Sequence, residues 1–271
     1  GLGEHALGAM TIGLKNVAIG YGAMNAVTTE QVDGNIAIGE SALTGSSSTT
    51  GDLNIAIGQC AMKAITTGAC NVAIGTTSAD ALTTGACNIA MGINAYGTAQ
   101  AGANNIALGN TAMGTCLVTG TDNIALGRGT ADALTSGACN FAVGLNALGA
   151  SKTGCFNIAI GDTAIGSGVV TGSDNIAIGQ QAARYLGAAN KNVAIGFNAF
   201  KIATSGDFNI AIGNVAMGGS DTTGNDNIAL GSNAMNAMIG GACNIAIGAD
   251  ALGASTVGVD QIAIGRLAMS G

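Results

Sequence analysis

The most reactive groups in this 271-residue chain are its seven cysteines, and four of them recur at one place in a repeating pattern. Cys70, Cys87, Cys139 and Cys243 each stand directly before an Asn-apolar-Ala-apolar-Gly pentapeptide, whereas Cys60, Cys116 and Cys155 lie elsewhere. Cys70 and Cys87 are one repeat apart. If repeats stack as neighbouring strands, their Cα atoms are ~4.8 Å apart, within the range of a disulfide. The other reading is small buried thiols that stay reduced. Neither the spacings nor the neighbours fit a CxxC or zinc pattern, so no metal and no cofactor is expected. His5 is the only histidine, and it has no Ser and Asp partners with which to build a catalytic triad. No pair of carboxylates is spaced for acid–base work, and no Gly-rich run is followed by the Lys-Ser/Thr of a phosphate loop. No catalytic residue is assigned, and the chain is read as a non-enzyme.

What positions these residues is a tandem repeat. The pentapeptide occurs 15 times, beginning at Asn16, Asn35, Asn54, Asn71, Asn88, Asn105, Asn123, Asn140, Asn157, Asn175, Asn192, Asn209, Asn227, Asn244 and Gln261. The intervals are 17 to 19 residues; the third position is always Ala and the fifth always Gly. Three residues past that Gly stands Ala, with Ser78 and Thr130 as exceptions, and then an apolar residue such as Met24, Leu148 or Phe200. From Asn71 onward a 52-residue superperiod overlies the repeat: Asn71, Asn123, Asn175 and Asn227. Either a three-repeat block was duplicated, or three repeats make one wide turn of a triangular solenoid.

Strand side chains alternate between two faces. In Asn157-Ile158-Ala159-Ile160-Gly161 the two isoleucines point one way and Asn157, Ala159 and Gly161 the other; Asn209-Ile210-Ala211-Ile212-Gly213 and Asn71 with Ile74 and Gly75 follow the same order. The β-branched residues suit a buried pleated surface, and a Gly every few residues disfavours helix. The Gly permits a sharp turn. A second short strand is expected to carry the Ala-Met or Ala-Leu pair, and a polar loop to return to the next rung. The expected fold is all-β: a parallel β-solenoid of about 15 rungs, a rod about 70 Å long at ~4.8 Å per rung. The isoleucines form one ladder and the Asn amides a second, hydrogen-bonded along the axis. Such a thin slab has little interior of its own. The sequence therefore predicts a homotrimer, with the Ala row either near the three-fold axis or filling the interior. The whole of 1–271 reads as a single repeat domain that opens and closes within a repeat. Without polar caps, it is expected to be part of a longer array or to stack end to end.

The Asn-x-Ala-Ile-Gly-x-x-Ala pattern, clearest at Asn157 to Ala164, Asn209 to Ala216 and Asn244 to Ala251, resembles the head repeats of trimeric autotransporter adhesins and the repeats of phage tail-fibre and other virion-fibre proteins. The resemblance implies a left-handed parallel β-roll, three chains side by side and a role in attachment, with a host-surface receptor or glycan as partner. Adhesin repeats are near 14 or 15 residues, so the loops here are longer. Free thiols suit assembly in a reducing compartment, which favours a virion fibre over a secreted adhesin; the expected location is the virion or the cell surface.

Only 8% of residues are charged and mean hydropathy is +0.46, yet no apolar run approaches the length of a membrane span, so no membrane insertion is expected. Net charge is −7 with scattered Lys and Arg, which excludes a basic nucleic-acid surface. Gly224-Asn225-Asp226-Asn227 has a faint likeness to calcium-binding nonapeptides, but the period differs. Asp122, Asp174, Asp226 and Asp260 read as solvated turn residues. Thr28-Thr29, Thr49-Thr50, Thr66-Thr67, Thr83-Thr84 and Thr222-Thr223 suggest an ice-binding face, but they occupy a minority of repeats. A self-assembling filament subunit is the remaining alternative.

Overall fold

The computed structural model describes residues 1–10, 13–26, 32–46 and 49–271. The chain divides into two units, Gly1–Ser136 and Gly137–Gly271. The first holds seven strands: β1 (Val17–Ile19), β2 (Ile36–Ile38), β3 (Ile55–Ile57), β4 (Val72–Ile74), β5 (Ile89–Met91), β6 (Ile106–Leu108) and β7 (Ile124–Leu126). Each pairs in parallel with the next, Ala on Ala: Ala18 on Ala37, Ala56 on Ala73, Ala90 on Ala107. The second holds eight: β8 (Phe141–Val143), β9 (Ile158–Ile160), β10 (Ile176–Ile178), β11 (Val193–Ile195), β12 (Ile210–Ile212), β13 (Ile228–Leu230), β14 (Ile245–Ile247) and β15 (Ile262–Ile264). These follow the same rule. There is no helix among the described residues. Each unit is a parallel β-solenoid in which one repeat makes one turn. Consecutive strands pair directly, so the reading in which three repeats share a wide turn does not hold.

The expected second strand is replaced by a different backbone path. After Gly161 (φ 131°), residues Thr163 (φ 54°) and Ile165 (φ 49°) are left-handed, with Ala164 between them outside the positive-φ region. Each non-Gly residue held there costs roughly 1 kcal/mol. The rung-to-rung hydrogen bonds offset that cost. The Thr163 N–H donates to Leu145 O at 2.9 Å in the preceding rung, and the Ile165 N–H to Ala182 O at 3.0 Å in the following one. The N–H groups of Thr163 and Ile165 thus serve opposite neighbours, while the Ala164 N–H between them turns back to Gly161 O at 3.3 Å and the chain curls. The hydrophobic Ala-Ile, Ala-Met and Ala-Leu pairs satisfy strand propensity, so nothing in their types foreshadows the alternation in handedness.

Gly161 is required by the stacking itself. A Cβ there would lie 2.5 Å from Gly179 O and 2.6 Å from its carbonyl carbon, at a φ that L-residues rarely adopt. The same approach recurs at Gly75 (φ 133°), over Gly92, and at Gly213 (φ 138°), over Gly231.

The interior is narrow and fully used. In the rungs that begin at Asn16 to Asn227, the strand Ala, the small residue three past the Gly (Ala, or Ser78 and Thr130), the residue after it and at least one residue of the return loop are all buried, whereas in the last rung Met269 is exposed. Sizes compensate within a rung. Ala79, Ala131 and Ala183 stand with Leu82, Leu134 and Leu186; Tyr96, Leu148 and Phe200 stand with Ala99, Ser151 and Ala203. The next rung in each block places Met113, Ile165 and Met217 with Val118, Val170 and Thr222. Over the three blocks that begin at Asn71, Asn123 and Asn175, the 52-residue superperiod seen in the sequence is therefore a cycle of interior packing; the rung that begins at Asn227 departs from it, with Met235 and Met238 both buried. Small-with-large, large-with-small and medium-with-medium rungs follow in order, each filling a similar volume at close-packed density.

Candidate interaction face

Along every strand the central Ala is buried and its two neighbours point outward, half-buried or exposed. Ala159 and Ala211 are completely buried. Ile74, Ile158, Ile160 and Ile210 are half-buried, and Ile178, Ile212 and Ile247 are 37–39% exposed. The aliphatic ladder expected from the pentapeptide exists, but it lies outside rather than in a buried core. The reason is volume. The Asn-Ala-Gly face encloses a space already filled by the turn residues opposite, and only small side chains fit between strand and turn. Of the two places open for the Ala row, the structure selects the interior.

Each unit consequently carries an unbroken stripe two apolar side chains wide, aliphatic except at Phe141. At ~4.8 Å per rung, the seven rungs of the first unit run for about 30 Å. A one-third-exposed isoleucine has on the order of 1 kcal/mol still to gain from burial, so such a stripe holds on the order of 10 kcal/mol. Association costs about 4–15 kcal/mol in lost freedom. A few isoleucines would not offset that; a whole stripe engaged in register gains an amount of the same order as the cost.

The inner edge of the strand is held by the expected amide ladder. Asn71, Asn157 and Asn209 are buried. Asn157 Oδ1 accepts from the main-chain N–H of Asn175 at 3.1 Å and from its Nδ2 at 3.0 Å. Asn157 Nδ2 donates to Asn140 Oδ1 at 3.2 Å and to Gly172 O at 3.0 Å in the loop of the next rung. Asn71 and Asn209 repeat the pattern, with Gly85 O and Gly224 O as the loop acceptors, each at 2.9 Å. Those loop glycines were not singled out in the sequence, although they stand at a fixed place three residues before the next Asn. A Cβ on Gly85 would meet Gly102 O and, at 2.8 Å, Leu82 Cδ1.

A second polar column, two residues before the motif, was also missed. The N–H groups of Cys155, Ser173, Asn190 and Asp207 donate in turn to Ser173 Oγ (3.0 Å), Asn190 Oδ1 (2.9 Å), Asp207 Oδ1 (2.6 Å) and Asn225 Oδ1 (2.8 Å). Residue types vary along it, so only the shared ability to accept a hydrogen bond could have revealed it.

The remaining candidates fall as follows. All seven cysteines are free; Cys70, Cys87, Cys139 and Cys243 are exposed, which corrects the buried-thiol reading. They occupy the left-handed residue before the Asn, where the side chain turns outward. Asp122, Asp174, Asp226 and Asp260 share that position and are exposed turn residues, as expected. His5 lies near Glu4 at 3.5 Å and edge-on to Tyr21 at 5.7 Å. The Thr49 and Thr222 hydroxyls are buried and donate to Ile65 O and Met238 O, both at 3.1 Å, so neither can serve a surface ligand. Thr28 and Thr29 lie outside the described residues. Among the described residues no group of three or more His, Cys, Asp or Glu is placed to hold a metal, and no helix is long and apolar enough to cross a membrane. Tyr96 is the largest buried side chain; burial pushes its phenol well above the usual range, opposed by a hydrogen bond from Asn105 Nδ2 at 2.8 Å.

No family model, curated protein or solved structure matches the chain.

Proposed function

We propose that the chain is a structural and adhesive fibre element, built as a homotrimer through its outward aliphatic stripes and serving attachment at a virion or cell surface. The observation that carries this reading is the inversion of the strand: alanine fills the interior while the larger isoleucines face out in register. A monomer gains nothing from an exposed aliphatic stripe of this length, and contiguous apolar patches of that kind mark interaction surfaces. Three copies side by side let every stripe meet two others. A three-chain assembly would also repeat each return loop three times around the fibre, so weak contacts to a glycan or receptor add in avidity.

Sedimentation analysis tests the assembly. The wild-type chain is expected at three times its 25.9 kDa mass. The Ile160→Asp/Ile212→Asp variant is expected to keep the β-sheet circular dichroism of the wild type but sediment as a single chain. A wild-type protein that stays monomeric at tens of micromolar, or a double variant that still trimerises, would remove the basis of the reading. Adhesion is tested separately, by binding of the intact chain to immobilised glycans and host cells. Trimers that bind neither would leave only the structural part.

A further inference from the structure

Cys70 and Cys87 are the two cysteines that occupy register-adjacent positions in one column. They are 17 residues apart. Val72 of β4 and Ile89 of β5, two residues beyond each, are register partners. The Asn88 N–H donates to Asn71 Oδ1 at 2.9 Å and locks the intervening residues. Both cysteines have φ 59°, and their N–H groups make equivalent bonds to the preceding rung, Cys70 to Asp52 O at 2.9 Å and Cys87 to Ala69 O at 3.0 Å. Identical backbone conformation in adjacent parallel rungs makes the two Cα–Cβ bonds parallel. The Cβ atoms are therefore separated by the rung spacing, ~4.8 Å.

That separation decides the chemistry. A relaxed disulfide holds its Cβ atoms about 3.5–4.5 Å apart, so the parallel pair is disfavoured for direct S–S bonding, and both thiols are free. A cation held linearly between two thiolates needs sulfurs two metal–sulfur bonds apart, about 4.6 Å if each bond is as long as the zinc–thiolate bond of about 2.3 Å. Parallel side chains in the same rotamer supply that distance. Zinc requires four ligands in a closed site, and the described residues place no third His, Cys, Asp or Glu here. Thiolates select soft monovalent copper, which two ligands can saturate. Both thiols are exposed, and their column neighbours, Leu53 and Asn104, are uncharged. We propose that Cys70 and Cys87 form a two-thiolate clip for a soft monovalent cation of the copper(I) class. Each thiol releases its proton to solvent, two S–Cu bonds form, copper stays in the +1 state, and the site becomes a singly negative bis-thiolate.

The test is anaerobic titration of the full, reduced chain with copper(I) presented as its bicinchoninate complex, reading loss of the complex's absorbance. One equivalent per chain is expected. Cys70→Ser and Cys87→Ser should each weaken uptake at least 100-fold. Cys243→Ser, at the same repeat position but between Asp226 and Asp260, should leave it unchanged. Circular dichroism checks that all three variants fold as the wild type does. No uptake by the wild type, undiminished uptake by either Cys70→Ser or Cys87→Ser, or an equal loss in Cys243→Ser would each overturn the proposal.

Discussion

Removing one amide from the inner ladder should cost far more than removing an asparagine from the surface, and Asn157 allows the difference to be worked out. Asn157→Ala deletes four hydrogen bonds, but not all of their partners are orphaned. Asn140 Oδ1 still accepts from the residue 157 N–H at 2.9 Å, and Asn175 Nδ2 still donates to Ala189 O at 2.9 Å. Two groups are stranded: the main-chain N–H of Asn175 and the carbonyl of Gly172, both in buried surroundings. At about 1–3 kcal/mol for each buried unsatisfied group, plus the void left by the side chain, the loss comes to about 3–6 kcal/mol. Set against a typical total of about 5–15 kcal/mol, that is severe. Urea denaturation measures it, with the exposed Asn214→Ala as a control expected to fall within about 0.5 kcal/mol of wild type. Because each rung touches only its neighbours, amide exchange should quicken first at Ile158 and Ile176. Asn157→Asp sharpens the test. Its charged oxygen would face Asn140 Oδ1 and Gly172 O, so the fold favours the protonated form and the folded-state pKa rises above the unfolded value. Stability is then present below the ordinary carboxylate range and lost as pH rises through the folded value. The alanine variant should show no such pH dependence. If Asn157→Ala unfolds with the Asn214→Ala control, the ladder does not hold the rungs together and the reasoning fails.

Other substitutions separate packing from polarity. Gly161→Ala places a methyl against Gly179 O at a φ of 131° and should lower the unfolding free energy by about 2–4 kcal/mol, read by the same denaturation. Ser151 Oγ is buried without a partner; Ser151→Ala should raise stability by about 1 kcal/mol, seen as an upward shift of the urea midpoint. Asp80 is pushed above the usual carboxylate value, first by burial, with main-chain hydrogen bonds and Lys63 opposing. Its contribution is therefore most favourable below the unfolded pKa and is lost as pH rises through the folded one. Asp80→Asn should gain slightly over wild type at neutral pH and lose that advantage in acid, as thermal melts at both pH values would show.

The strands were legible because a pentapeptide with invariant Ala and Gly leaves few alternatives to a period of two. The amide ladder followed from the same alignment. The direction of the isoleucines was not legible, because alternation defines two faces without saying which encloses the core. That choice depends on the volume left by the turn, and the left-handed residues such as Thr163 and Ile165 look like strand formers. The superperiod was visible, but its meaning required knowing that Tyr96 and Ala99, or Ala79 and Leu82, share one cross-section. The hydrogen-bonding column through Ser173, Asn190 and Asp207 has no constant residue type to find. The exposure of Cys70 and Cys87 follows from a backbone handedness that the sequence does not display.

The three-rung packing cycle makes length a quantised property. Inserting or deleting a single rung would break the succession of small-with-large, large-with-small and medium-with-medium cross-sections and leave a mismatch at the joint. A whole block of three, 52 residues, restores the original succession on both sides. Such a solenoid unit can lengthen by steps of roughly 14 Å, three rung spacings, without redesigning its interior, much as a rule is extended by whole graduations rather than fractions of one.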